Sequence, residues 1–251
     1  MAGHNKWSKV KRLKGALDAK RGKLFSRLSK EIAVAARLGG GNSAFNPRLR
    51  SAIQTARTQS MPSDNIERAI KKGTGEIASG LIEEIVYEGY APGGVAVLVE
   101  TATDNRNRTA ADMRLIFSKN DGNLGGPGSV AYLFDHVGQI SLPLASATED
   151  RLLEILLEAG AEEFAAEDES WVVSTPPDRL YVVADAIKQS GIETSSQKLT
   201  FVPRTSTLVA DEKTAARILK LCDSLDDNDD VLAVHANFDI SEDILARLEN
   251  D

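Results

Sequence analysis

The sequence predicts an α+β protein: a small three-helix N-terminal domain followed by two ferredoxin-like α+β domains, one inserted in the other. Three observations carry that prediction. Before Gly80, apolar residues recur at helical spacing in three short runs broken by Gly and Pro. After Gly80, strand-like and helical runs alternate, and residues 138–200 read strand, helix, strand, strand, helix, strand, one complete ferredoxin-like unit. The stretches flanking that unit repeat the same order when joined, so a second unit, 80–135 plus 201–240, encloses an insertion, 136–200. The ends of an inserted domain lie close together, as this arrangement requires.

Residues 1–22 read as a mobile basic arm. Lys6, Lys9, Lys11, Arg12, Lys14, Lys20 and Arg21 meet one acid, Asp18. The anchors Trp7, Val10, Leu13 and Leu17 are too few for a core, so the segment is expected to order on a partner. Residues 23–79 form the helical domain. A first helix spans about 23–38, with Leu24, Phe25, Leu28, Ile32, Ala35 and Ala36 on one side and Lys23, Arg27, Lys30 and Arg37 on the other. Gly39, Gly40 and Gly41 end it. Asn46 caps a second helix with Pro47 at its first position, and Arg50 and Arg57, seven apart, share an edge. The third starts at Pro62 and Ser63 or Asp64, with Glu67 placed for a capping box and Gly73 as stop.

Strand-like runs follow at 83–88, 94–100, 130–134, 138–142, 162–166, 171–175, 195–202, 206–210 and 231–238. Helical runs lie near 106–119, 147–159, 177–190 and 211–225. Residues 241–251 are left as a C-terminal tail.

Charge is divided along the chain. Residues 1–75 hold 17 Lys and Arg against 4 Asp and Glu, a net of +13, while the remainder carries −20. A basic module on an acidic body points to a polyanion, most often nucleic acid, with the body's field confining where it binds. The first helix is expected to hold its cations outward. Trp7 can stack on an exposed base or pack on the helical domain.

Composition excludes other classes. One cysteine, Cys222, permits no internal disulfide, and three histidines with no cluster argue against a zinc site. Aromatics at 5% leave no broad stacking platform. The N-terminus lacks the apolar run of a secretory signal, and no stretch approaches the roughly 18 apolar residues of a membrane span. A cytoplasmic protein is the default, and a monomer the default assembly.

Four motifs remain. DNRNRT, 104–109, sits between strand and helix, where Arg106 and Arg108 would flank an anion site at the helix start. The alternative is a capped helix, with Thr103 or Asp104 as cap and the arginines paired to carboxylates. YEGYAPGGV, 87–95, reads as a Pro-Gly turn between strands. GNLGGPGS, 122–129, lacks the Lys-Ser/Thr of a phosphate loop and reads as a flexible loop. DSLDDNDD, 223–230, reads as a solvated turn, with an intramolecular brake on the basic arm as the lesser alternative. No catalytic constellation emerges, so neither enzyme activity, a cofactor nor a small-molecule substrate is expected.

GHNKW (3–7), DAKRGKLF (18–25), EIAVAARLGGG (31–41), NPRLRSAI (46–53), MPSDNIERAIKKGTG (61–75), YEGYAPGGVAVLVE (87–100), DNRNRT, SKNDGNLGGPGSVAYLF (118–134) and NFDI (237–240) together resemble the YebC/PmpR family, which includes the mitochondrial translational activator of cytochrome c oxidase. The resemblance covers nearly the whole chain. It implies a helical domain with two α+β domains, no catalytic residues and no cofactor. It implies a cytoplasmic DNA-binding transcriptional regulator; other members resemble translation factors that act on ribosomes stalled at proline-rich stretches. The chain departs from the family pattern at Leu13 and Gly15, at Asp121 where Gly is usual, and at Pro127.

Overall fold

A computed structural model describes residues 17–78 and 80–250, and of residues 17–21, 249 and 250 only the backbone. The chain divides into two compact units: one runs to Phe134 and resumes at Pro203, and the other is Asp135–Val202.

The first unit opens with α1 (Leu17–Gly39), α2 (Pro47–Thr58) and α3 (Ser63–Thr74). Residues 17–22, expected in the mobile arm, are the first turns of α1. Leu28, Ile32, Ala35 and Ala36 of α1, Leu49, Ala52 and Ala56 of α2, and Ile66 and Ala69 of α3 enclose one core with Met61. Asn46 does two jobs. Its Oδ1 accepts from the Leu49 N–H at 3.0 Å, capping α2, and its amide donates to Ala35 and Gly40 carbonyls at 2.7 and 2.8 Å, closing α1.

Helix α3 differs from expectation. Pro62 holds the cap position and no side chain caps it, so the Asp64–Glu67 box does not form; Asp64 lies in the first turn, where its charge suits the helix dipole. Gly75, with φ +81°, ends the helix rather than Gly73. Gly73 instead marks where α3 presses on α1. A Cβ there would collide with the Ala33 carbonyl and come within 2.8 Å of Ala36 Cβ.

The same unit carries β1 (Glu83–Tyr90), β2 (Ala96–Thr103), β3 (Asn123–Leu124) and β9 (Val231–Ala236) in the order β3-β1-β2-β9, every pair antiparallel. A separate parallel pair joins β8 (Thr207–Val209) to β10 (Phe238–Ile240). The expected strand at 130–134 does not form. The Glu88 carboxylate takes the N–H groups of Gly128, Val130 and Ala131 at 2.6–2.8 Å, which withdraws them from any ladder. Residues 131–133 make a 3₁₀ turn instead, and β1 supplies the sheet neighbour of β2. The split domain thus reaches its α+β layering by its own strand order.

On one side of this sheet, Val97 and Val99 meet Met113 and Phe117 of α4 (Arg106–Lys119) and Ile218, Leu221 and Leu225 of α7 (Glu212–Asp226). Ala96, Leu98 and Ala102, which alternate with them, are equally buried, so β2 reads as a continuous apolar run. Helix α1 packs against β2 and β9. In place of the expected tail, α8 (Glu242–Asn250) seats Ile244 in the same core.

The inserted unit is βαββαβ: β4 (Phe134–Pro143), α5 (Glu149–Ala159), β5 (Glu163–Glu167), β6 (Ser170–Thr175), α6 (Leu180–Gln189) and β7 (Ser196–Pro203). Its strand order, β5-β6-β4-β7, is that of a ferredoxin-like fold. Ile140, Leu142, Leu152, Val173, Val183 and Ile187 form its core.

Candidate nucleic-acid interface

Lys23, Arg27 and Lys30 lie on one stripe of α1, three and four residues apart. The stripe does not face outward. It lies against the turn that follows α7, with Lys23 Nζ 2.7 Å from Asp227, Arg27 Nη2 2.9 Å from Asp226 and Lys30 Nζ 2.7 Å from Asp230. Arg27 also donates to the Asp226 carbonyl, and Lys30 to the Asp229 carbonyl at 2.7 Å. The C-terminal end of α7 carries orphan carbonyls, a negative dipole end and aspartates together, a combination that a cationic partner stabilises. The acidic cluster is therefore no merely solvated turn. Arg37, also expected on this face, donates to the Ile82 carbonyl.

Asp230 is the centre of this contact. It is 5% exposed and receives Lys30 at 2.7 Å, Arg108 at 2.9 Å and the Thr109 hydroxyl at 2.7 Å. Burial works against its charge, but the hydrogen bonds from Lys30, Thr109 and Arg108 outweigh it and hold the carboxyl at about 2. Arg108, although its side chain is half exposed, is thereby committed to partners within the protein. It bonds Asp104 at 3.0 Å as well, and its own pKa is raised, chiefly by Asp230. Asn105, not Thr103 or Asp104, caps α4 through the Arg108 N–H at 3.1 Å. Of the two loop arginines expected at an anion site, Arg106 stays exposed and Arg108 does not stay free.

Arg48 is a second internal tie. It makes two bonds to Glu31, 2.9 and 3.1 Å, and reaches Glu84 at 2.6 Å, joining α1, α2 and β1. Burial opposes its charge, but the bonds to Glu84 and Glu31 raise its pKa.

Other cations remain at the surface. Arg50 and Arg57 on α2 and Arg68, Lys71 and Lys72 on α3 are exposed, and none has a carboxylate within ion-pair distance among the described residues. Arg50 turns back over the preceding loop, donating to Ser43 and Ala44 carbonyls at 3.4 Å. Sequence reading missed Arg68, Lys71 and Lys72, although ERAIKK already placed them off the apolar stripe of α3. Lys6, Trp7, Lys9, Lys11, Arg12 and Lys14 lie outside the described residues. Lys20 and Arg21 lie on α1, where only the backbone is described.

The glycine-rich stretch is tied down rather than free. Burial disfavours charge on Glu88, yet the N–H groups of Val130, Gly128, Ala131 and Ser129 keep its carboxyl below the ordinary value. In the inserted unit, an open groove of about 940 Å³ runs between α5 and α6, lined by Arg151 and Arg179 together with Glu154, Glu158 and Asp185, so it carries no bias toward polyanions. Among the described residues no three His, Cys, Asp or Glu side chains are grouped to hold a metal. No described helix is long and apolar enough to cross a membrane.

A basic three-helix domain, a split α+β host and a ferredoxin-like insertion define a three-part architecture. Residues 5–76 match the family model described as the TACO1/YebC protein N-terminal domain, and residues 82–238 match the TACO1/YebC second and third domain. The chain belongs to the TACO1/YebC family. A protein of Desulfotalea psychrophila, named a probable transcriptional regulatory protein, is 53% identical over 99% of both chains. One of the same description from Aquifex aeolicus is 48% identical over 99% of this chain and all of its own. The crystal structure of a conserved hypothetical protein from Aquifex aeolicus superposes with a TM-score of 0.82 at 48% identity, over 90% of this chain and 93% of that one.

Proposed function

We propose that the chain is a non-enzymatic, nucleic-acid-binding regulator of gene expression, of the transcriptional kind that its relatives' names describe. The observation that carries this reading is the positive charge left over after internal pairing. The α1 stripe is spent on Asp226, Asp227 and Asp230, yet α2 and α3 still present Arg50, Arg57, Arg68, Lys71 and Lys72 to solvent. These side chains, extended by the cations of residues 1–16, would neutralise phosphates and release counterions. The acidic body would keep a polyanion on that side.

One observation favours a second reading, a ribosome-associated translation factor on ribosomal RNA. At the start of α2, Arg48 is locked to Glu31 and Glu84 and Arg50 turns back over the preceding loop, an arrangement that favours contact with a backbone over reading of base edges. Binding through phosphates and shape suits RNA as well as DNA.

Filter binding of the full chain to duplex DNA and to structured RNA across a salt series tests the common core. Affinity falling steeply with salt supports it, and no affinity for either polyanion overturns it. Sucrose-gradient sedimentation of DNase-treated extract then separates the readings. Co-migration with ribosomal subunits supports the translational one; a promoter footprint without co-migration supports the transcriptional one.

A further inference from the structure

Phe45 is the most exposed large apolar side chain among the described residues, at 85%. It stands at the tip of the α1–α2 hairpin, on a loop held from three directions. The Phe45 N–H donates to the Asn42 carbonyl at 3.1 Å, and the Ala44 N–H to the Asn42 side chain at 3.0 Å. Asn46, immediately after, is buried and bound to Ala35 and Gly40. The Arg50 guanidinium spans the loop through Ser43 and Ala44. The turn that carries the ring is thus tied by hydrogen bonds, while the ring itself stands in water and takes no part in the core of its domain.

We infer that Phe45 is a stacking post for an unpaired nucleobase, with Arg50 placed for the adjoining phosphate. The inference rests on the nucleic-acid reading above and deepens it by naming single-stranded or looped-out bases as the target. A duplex keeps its base faces covered, whereas an unpaired base offers a π-face to a ring carried on a turn that is already held. The surrounding charge fits this occupant: the domain is cationic, and Arg50 has no carboxylate partner among the described residues. An apolar protein surface would meet the ring equally well but would leave the guanidinium beside it without a partner.

The test uses the full chain with Phe45→Ala and Phe45→Trp. Fluorescence anisotropy is read with labelled single strands of RNA and of DNA, and with the same sequences annealed into duplexes. Stacking is worth about 1–3 kcal/mol per base, so Phe45→Ala is expected to weaken single-strand binding roughly 5- to 150-fold and leave duplex binding unchanged. Phe45→Trp is expected to restore it, with indole quenching beyond that of the native Trp7 and Trp171 in wild type; restoration on only one sugar type identifies the source of the base. At this exposure Phe45→Ala should melt like wild type, and thermal unfolding verifies that. Unaltered single-strand affinity, or equal losses on strand and duplex, overturns the stacking role while leaving nucleic-acid binding intact. A wild type that binds neither form overturns both. Self-association of wild type that Phe45→Ala abolishes, seen by sedimentation velocity, would make the tip a contact between copies and also overturn the inference.

Discussion

Asp230 carries more of the structure than any sequence pattern around it suggests. Lys30, Arg108 and the Thr109 hydroxyl converge on one buried carboxylate, so removing its charge leaves the largely shielded Lys30 ammonium, and one edge of the half-exposed Arg108, facing a neutral amide. Asp230→Asn is expected to lower stability by about 3 kcal/mol, read by urea denaturation at neutral pH. Its folded pKa of about 2 lies below the ordinary aspartate value near 3.9. The stabilisation is therefore full above about pH 4–5 and is lost as pH falls through about 2, amounting to about 2–3 kcal/mol. Wild type and Asp230→Asn should converge in urea midpoint over that window; a gap that stays constant to the acid limit would contradict the assignment. Asp121 gives a milder test. It sits at φ +57°, a conformation that glycine adopts without strain, and Asp121→Gly is expected to raise stability by up to about 1 kcal/mol. Local chemistry made the Asn46 cap legible in the sequence. Asp230 was not legible, because its bond to Lys30 spans 200 positions and those to Arg108 and Thr109 span 122 and 121.

At the scale of elements, helices were legible where an apolar stripe followed a clear start, as in α2 behind Asn46 and Pro47. The first helix was placed too short because Gly22 and the local run of cations look like an arm, while its packing partners β2 and β9 lie far along the chain. The run 130–134 has strand composition, yet one carboxylate on β1 redirects its amides, an effect that no window of the sequence contains. Glu88→Gln puts an NH₂ group among backbone N–H donors. It is expected to cost about 2 kcal/mol and to speed amide exchange at Gly128, Val130 and Ala131 by mass spectrometry; unchanged protection there would contradict the clamp. Gly73→Ala is expected to force α3 from α1 at a cost of about 2–3 kcal/mol, visible as a lower thermal midpoint. A midpoint equal to that of wild type would mean that the two helices are not held at that crossing.

Across the whole molecule, the division of charge is legible from composition, but its address is not. The most regular basic stripe in the sequence is the one that the fold consumes, since the acidic turn after α7 needs it. What remains for a partner is the less regular set on α2 and α3. The candidate site was thus half visible: Arg50 and Arg57 were picked out, Arg68, Lys71 and Lys72 were not, and Lys23, Arg27 and Lys30 serve to join the helical domain to the split one. The most direct measurement compares two variants by anisotropy with a labelled oligonucleotide over a salt series, each checked for folding by circular dichroism. In the first, Arg57, Arg68, Lys71 and Lys72 are changed to Glu; in the second, Lys23, Arg27 and Lys30 are changed to Gln. The account predicts that the first melts like wild type yet loses about a hundredfold or more in affinity, with the salt slope reduced by about 3–4. It predicts that the second loses about 3–5 kcal/mol of stability and, where still folded, binds as wild type does. A first variant that binds normally, beside a folded second variant that does not, would contradict it and return the interface to α1.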